Sequence, residues 1–133
     1  MQDRKIEVFT EDDELIVNRL RAIGMTRKAA KVITYMMLRT DGSARDIEIT
    51  TNLRQPEVSV GLKELSTWVR VTPGVKIKPH ARPVSVYSLA VPLGDVVRHY
   101  FKDACKNVDK VNAAYGELLT CLDLYSQNKL DQK

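Results

Sequence analysis

The chain has 133 residues, 44% hydrophobic and 29% charged, which is the balance of one globular domain with room for a single long appendage. No apolar run approaches 18 residues, and Met1-Gln2-Asp3-Arg4-Lys5 lacks the apolar stretch of a signal peptide. A membrane span and secretion are therefore not expected. Only two cysteines occur, Cys105 and Cys121, with no CxxC, which fits reduced thiols in a cytoplasmic protein. The net charge of +4 is uneven. Residues 1–14 carry −4, residues 15–102 carry +9 from fifteen basic and six acidic side chains, and residues 103–133 carry −1. A basic middle section suits a polyanionic partner, with ordinary surface charge for solubility as the plainer alternative.

In chain order, residues 1–10 form an N-terminal extension. Thr10 and Asp13 then make a capping box, and Glu11-Asp12-Asp13-Glu14 complement a helix N-terminus, which accounts for the acidic cluster better than a metal site does. This first helix is expected to bury Leu15, Ile16, Leu20 and Ile23 and to stop at Gly24. Thr26 caps a second helix, Arg27 to Arg39, with Ala29, Val32, Ile33, Met36 and Met37 turned inward, and Asp41-Gly42 closes it.

Ser43 to Trp68 reads as two short helices joined by a tight turn. Ser43 and Asp46 form a second capping box, Ile47 and Ile49 face inward, and Asn52 suits the left-handed stop. The next helix follows Arg54-Gln55, with Pro56 in its first turn. It buries Val58, Leu62 and Leu65, and Gly61 permits close approach of a neighbouring helix. Gln55, Glu57, Ser59, Val60 and Lys63 lie on the opposite face, as a recognition helix requires; a helical hairpin inside any small α-domain has the same pattern. Beyond it, Val69–Thr72 alternates, Pro73-Gly74 turns, and Val84–Leu89 alternates again, with Tyr87 and Leu89 on one face. This is a β-hairpin whose long tip carries Lys76, Lys78, His80 and Arg82.

Leu20–Ala30, Ser43–Ile47, Arg54–Leu65 and Arg82–Leu89, in this order and spacing, resemble the winged helix-turn-helix domain of the ArsR/MarR/TrmB-like transcriptional regulators common in archaea. The Trp68-Val69 ending departs from the pattern, since relatives often place a glycine before the first wing strand. The resemblance implies a mainly α fold with an α+β wing over residues 11–91 and operator binding as a homodimer. It also implies that Arg54, Gln55, Glu57, Ser59 and Lys63 face double-stranded DNA. By its side-chain chemistry, Gln55 suits adenine, Arg54 guanine or phosphate, and Glu57 cytosine N4 or simple stabilisation of the helix start. Arg45, Lys63, Lys76, Lys78, His80 and Arg82 supply positive charge to the backbone.

Residues 92–133 form the last unit, a long dimerisation helix. Val97, Phe101, Ala104, Val108, Val111, Tyr115, Leu118, Leu122 and Tyr125 follow one another at alternating steps of four and three, the seam of a coiled coil. The natural partner is a second copy of the chain; the alternative is that the helix folds back across its own bundle. Asp95, His99 and Asp103 share a helical face, but one histidine with two carboxylates is a thin metal-ligand set, so no metal or other cofactor is expected. No Walker loop, GxGxxG or nucleophile elbow occurs, which argues against an enzyme. The expected function is a dimeric DNA-binding transcriptional regulator. Two alternatives are a protein-binding adaptor in a transcription complex and a metal- or redox-responsive repressor. A small-molecule effector, if one exists, would act at the long helix or the bundle.

Overall fold

The computed structural model describes residues 8–74 and 83–131. Helix α1 spans Glu11–Ala22 and begins at the Thr10–Asp13 capping box. Gly24, at φ +107°, reverses the chain through a conformation that L side chains rarely adopt. Helix α2, Arg27–Leu38, starts on Thr26, whose Oγ1 accepts from the Ala29 N–H. Ala29 through Met36 are all buried, so α2 is the helix around which the others pack. Two inward assignments are corrected here. In α1 the buried row is Val17 and Leu20, with Ile16 and Ile23 partly covered, while Leu15 is 52% exposed. In α2 Met36 is buried and Met37 is exposed, one helical step off the core-facing row.

Helix α3, Ala44–Thr51, opens on Ser43, whose side chain accepts from the Asp46 N–H while Asp46 accepts from the Ser43 N–H. It ends on Asn52 in the left-handed region, at φ 59°. Ile47 and Thr51 are buried, whereas Ile49 is exposed, because residues two apart on a helix point nearly opposite ways. Helix α4, Gln55–Glu64, follows after only Leu53 and Arg54. Three bonds hold the turn between them. Thr51 Oγ1 donates to the Ile47 carbonyl, the Leu53 N–H reaches back to Thr51 Oγ1, and the buried Lys31 ammonium donates to the Thr51 carbonyl at 3.0 Å. The last of these supplies a cation to a carbonyl that the end of α3 leaves without a helical partner. Val58 and Leu65 are buried beneath α4, and Leu62 packs beside them. Gly61 lies against α2: a Cβ there would stand 2.9 Å from the Lys28 carbonyl oxygen and from a Val32 methyl.

A three-stranded antiparallel sheet flanks the bundle, with β1 (Gly42–Ser43), β2 (Val69–Thr72) and β3 (Val86–Leu89) in the order β1-β3-β2. Val69 pairs with Leu89 and Thr72 with Val86, so the expected hairpin forms, and Val69, Tyr87 and Leu89 pack on the core. Strand β1 is an addition to the expected elements and places Gly42 opposite Tyr87. The final helix, α5, runs unbroken from Leu93 to Asp131 through Gly116, 39 residues or about 58 Å. Its first turns dock on the bundle through Leu93, Val96, Val97 and Tyr100, and Val96 is fully buried. From Phe101 onward it leaves the bundle rather than folding back over it. The fold is thus mainly helical, with a small antiparallel sheet and a long C-terminal helix. Among the described residues, no helix is long and apolar enough to cross a membrane.

Candidate functional site

Helix α4 has two unlike sides, and their separation follows from its sequence. Val58, Gly61 and Leu65, at helical spacing, are pinned beneath it by α2 and the rest of the core. That leaves Arg54, Gln55, Pro56, Ser59, Val60 and Lys63 exposed on its first turn and outer row. Glu57 is different. It is half-buried, and its Oε1 accepts from the Arg54 N–H at 3.1 Å, so its carboxylate serves the helix start, the second of the two roles expected of it. Arg45 is exposed on the first turn of α3. Lys76, Lys78, His80 and Arg82 lie outside the described residues. Arg70, which the sequence reading passed over, is exposed on β2 opposite Ser88 and adds a cation to the hairpin itself. Its place in a short alternating strand, with valines on either side, was the available signal.

Behind this surface sits a polar and aromatic joint that sequence reading did not find. Glu64, in the last turn of α4, accepts from Thr26 Oγ1 at 2.8 Å and from the Tyr100 hydroxyl at 2.9 Å. One carboxylate thereby ties the start of α2, the end of α4 and the docked turns of α5. Burial pushes the Tyr100 phenol well above the usual tyrosine range, and the hydrogen bond and negative charge of Glu64 add to this, as does the charge of Asp103. Trp68 closes the joint. Its ring centroid lies 5.0 Å from His99 and 5.8 Å from Tyr100, and its carbonyl accepts from the Ala90 N–H. The partners involved are 36 and 38 positions apart, beyond the reach of any local pattern.

The Asp95, His99 and Asp103 row splits into two separate pairs. Asp95 pairs with Arg98 at 2.8 Å, and His99 Nε2 lies 3.3 Å from Asp103. Among the described residues no group of three His, Cys, Asp or Glu side chains is placed to hold a metal ion. Cys105 and Cys121 are free thiols on the exposed part of α5. The seam residues fall into two sets. Val97 is half-buried against the bundle, and Ala104 is partly covered. Phe101, Val108, Val111, Tyr115, Leu118, Leu122 and Tyr125 are between 58 and 67% exposed. An apolar groove of about 320 Å³ joins the start of this exposed row to the end of α1, between Ala22 and Ile23 on one side and Phe101, Cys105 and Val108 on the other.

No family model matches the chain, and no curated protein matches it. Among solved structures it is similar to the YusO protein from Bacillus subtilis at 15% identity and a TM-score of 0.46, over 92% of this chain and 86% of that one.

Proposed function

We propose that the chain is a homodimeric, sequence-specific DNA-binding regulator of transcription with a winged helix-turn-helix head. The observation that carries this reading is α4: a ten-residue helix held on its inner row, presented by a bonded turn, with a solvent-facing row of Arg54, Gln55, Ser59 and Lys63. A helix of this length, about 15 Å, fits a major groove about 12 Å wide. Gln55 offers the donor–acceptor pair that adenine requires, and Arg54 the fork that suits guanine or a phosphate. Lys63 and Arg45 supply backbone charge, and exposed Val60 suits a thymine methyl group. Arg70 and the basic residues between β2 and β3 add phosphate contacts beside the groove. The exposed row on α5 supports the dimer.

Selection of duplexes from a random pool, followed by gel shifts over a salt series, tests the proposal. The logarithm of the affinity should fall linearly with the logarithm of salt concentration. Lys63→Ala should reduce that slope by about one while weakening all sequences alike. Gln55→Ala should relax preference at particular bases, at a cost of about 1–3 kcal/mol against the best site. Failure to bind any duplex at low salt would overturn the reading. In that case Val60, 50% exposed at the centre of the row, favours a protein-binding adaptor.

A further inference from the structure

We infer that two copies of α5 pair antiparallel, with their two-fold axis passing beside Ala113. This rests on the dimer reading above and adds to it the orientation and register of the partner. The row from Phe101 to Tyr125 exposes roughly 800 Å² per copy, the size of one side of a standard protein–protein interface. Val97 is left out of the row because it is already packed on its own bundle.

Orientation in a two-helix pairing is ordinarily set by opposite charges on the positions flanking the seam. Here the flanks are Cys105, Asn107, Asn112, Ala114, Leu119 and Cys121, with no charge among them, and the lysines and acids of this stretch lie on the outer face. Orientation therefore falls to the shapes along the seam itself. In a parallel pair each side chain meets its own copy. Phe101 would stack on Phe101 next to a layer of two alanines at 104, so excess bulk would adjoin a gap. In the antiparallel register centred on Ala113, Ala104 meets the partner's Leu122, Val108 the partner's Leu118, and Val111 the partner's Tyr115. Small faces large in each of these layers, which is how interiors reach native density. The one layer of two large rings, Phe101 with the partner's Tyr125, falls at the two ends of the row, where Phe101 borders the apolar groove beside Ala22 and Ile23. The same register brings Asn112 beside the partner's Asn112, where two amides can exchange hydrogen bonds, and Ala114 beside the partner's Ala114.

The two native cysteines make this measurable, because both are exposed and each lies eight residues from Ala113. Cys121→Ser and Cys105→Ser leave one thiol apiece for a nitroxide label, and pulsed electron paramagnetic resonance on the full chain reads the distance between copies. The antiparallel pair places each label about 24 Å from its mate along the rod, equal for the two sites. Equal distances near that value are the expected result. Short distances at both sites, set by the helix spacing of about 8–10 Å plus the label arms, would mean a parallel pair and overturn the inference. Clearly unequal distances would overturn the register with the same force. Sedimentation of the unlabelled protein separates the two levels. A monomer would withdraw the dimer itself, whereas a dimer with the wrong distances would withdraw only its orientation.

Discussion

Lys31 is a cation at 4% exposure whose ammonium meets the Thr51 carbonyl at 3.0 Å and lies 3.8 Å from Glu14. Its stem packs within the bundle while its head closes the end of α3, so truncation removes both contributions. Lys31→Ala should cost about 1–3 kcal/mol by leaving a buried carbonyl without a partner, with further loss from the missing stem. Lys31→Met should cost less, because it keeps the stem. Denaturant midpoints at unchanged slope measure both variants. Two glycines give a sharper contrast. Gly61→Ala drives a methyl toward the Lys28 backbone carbonyl, which cannot rotate aside, and should destabilise by about 1–3 kcal/mol. Gly116→Ala meets nothing within 4 Å in the middle of a long helix and should stabilise by up to about 1 kcal/mol. Thermal melts of the pair should therefore move in opposite directions.

At the scale of elements, Glu64 stands near the C-terminus of α4, where a negative charge opposes the helix dipole. Its bonds to Thr26 and Tyr100 account for its presence there. Glu64→Ala should cost about 1.5–3 kcal/mol. It should also raise amide exchange in the first turns of α5 more than in α2, because it frees the docked turns. Tyr100 provides a second readout. The folded chain holds the phenol proton to higher pH than the unfolded chain, whose tyrosine titrates near about 10, so the unfolded state releases its proton first. The contribution is whole below that pH and declines as pH rises past it, so Tyr100→Phe should lose less stability between about pH 9 and 11 than the parent chain.

The elements also divide by how legible they were. Thr10 with Asp13, Ser43 with Asp46, Thr26 and Asn52 act within four residues of themselves, and each stands where its local pattern placed it. Leu15-Ile16-Val17 and Met36-Met37-Leu38 are apolar runs that sweep more than half a turn. Only the neighbouring helix decides which member is buried, and no local signal selects Val17 over Leu15. Strand β1 has two residues and no period, and it exists because β3 lies beside it. The outer row of α4 was readable from helical spacing, whereas Lys31, Glu64, Trp68 and Tyr100 required the tertiary arrangement.

The whole molecule is a head on a rod, and in the proposed dimer the rod would set where two heads stand. From Ala113 to Leu93 is twenty residues, about 30 Å, so the antiparallel pair proposed above holds the attachment points of its heads about 60 Å apart. That spacing is nearer to two turns of duplex, about 68 Å, than to one, and it predicts operator half-sites about two turns apart. A duplex series with the half-sites moved stepwise tests this directly. Affinity should peak near two turns and fall when half a turn is inserted, because the second half-site then faces away from its head and the binding advantage of a linked pair, typically 10²–10⁴-fold, is lost. Gln55→Ala should lower affinity at every spacing without moving the peak. A short-spaced optimum near one turn, by contrast, would require the heads to sit side by side, as the parallel pairing of α5 would place them.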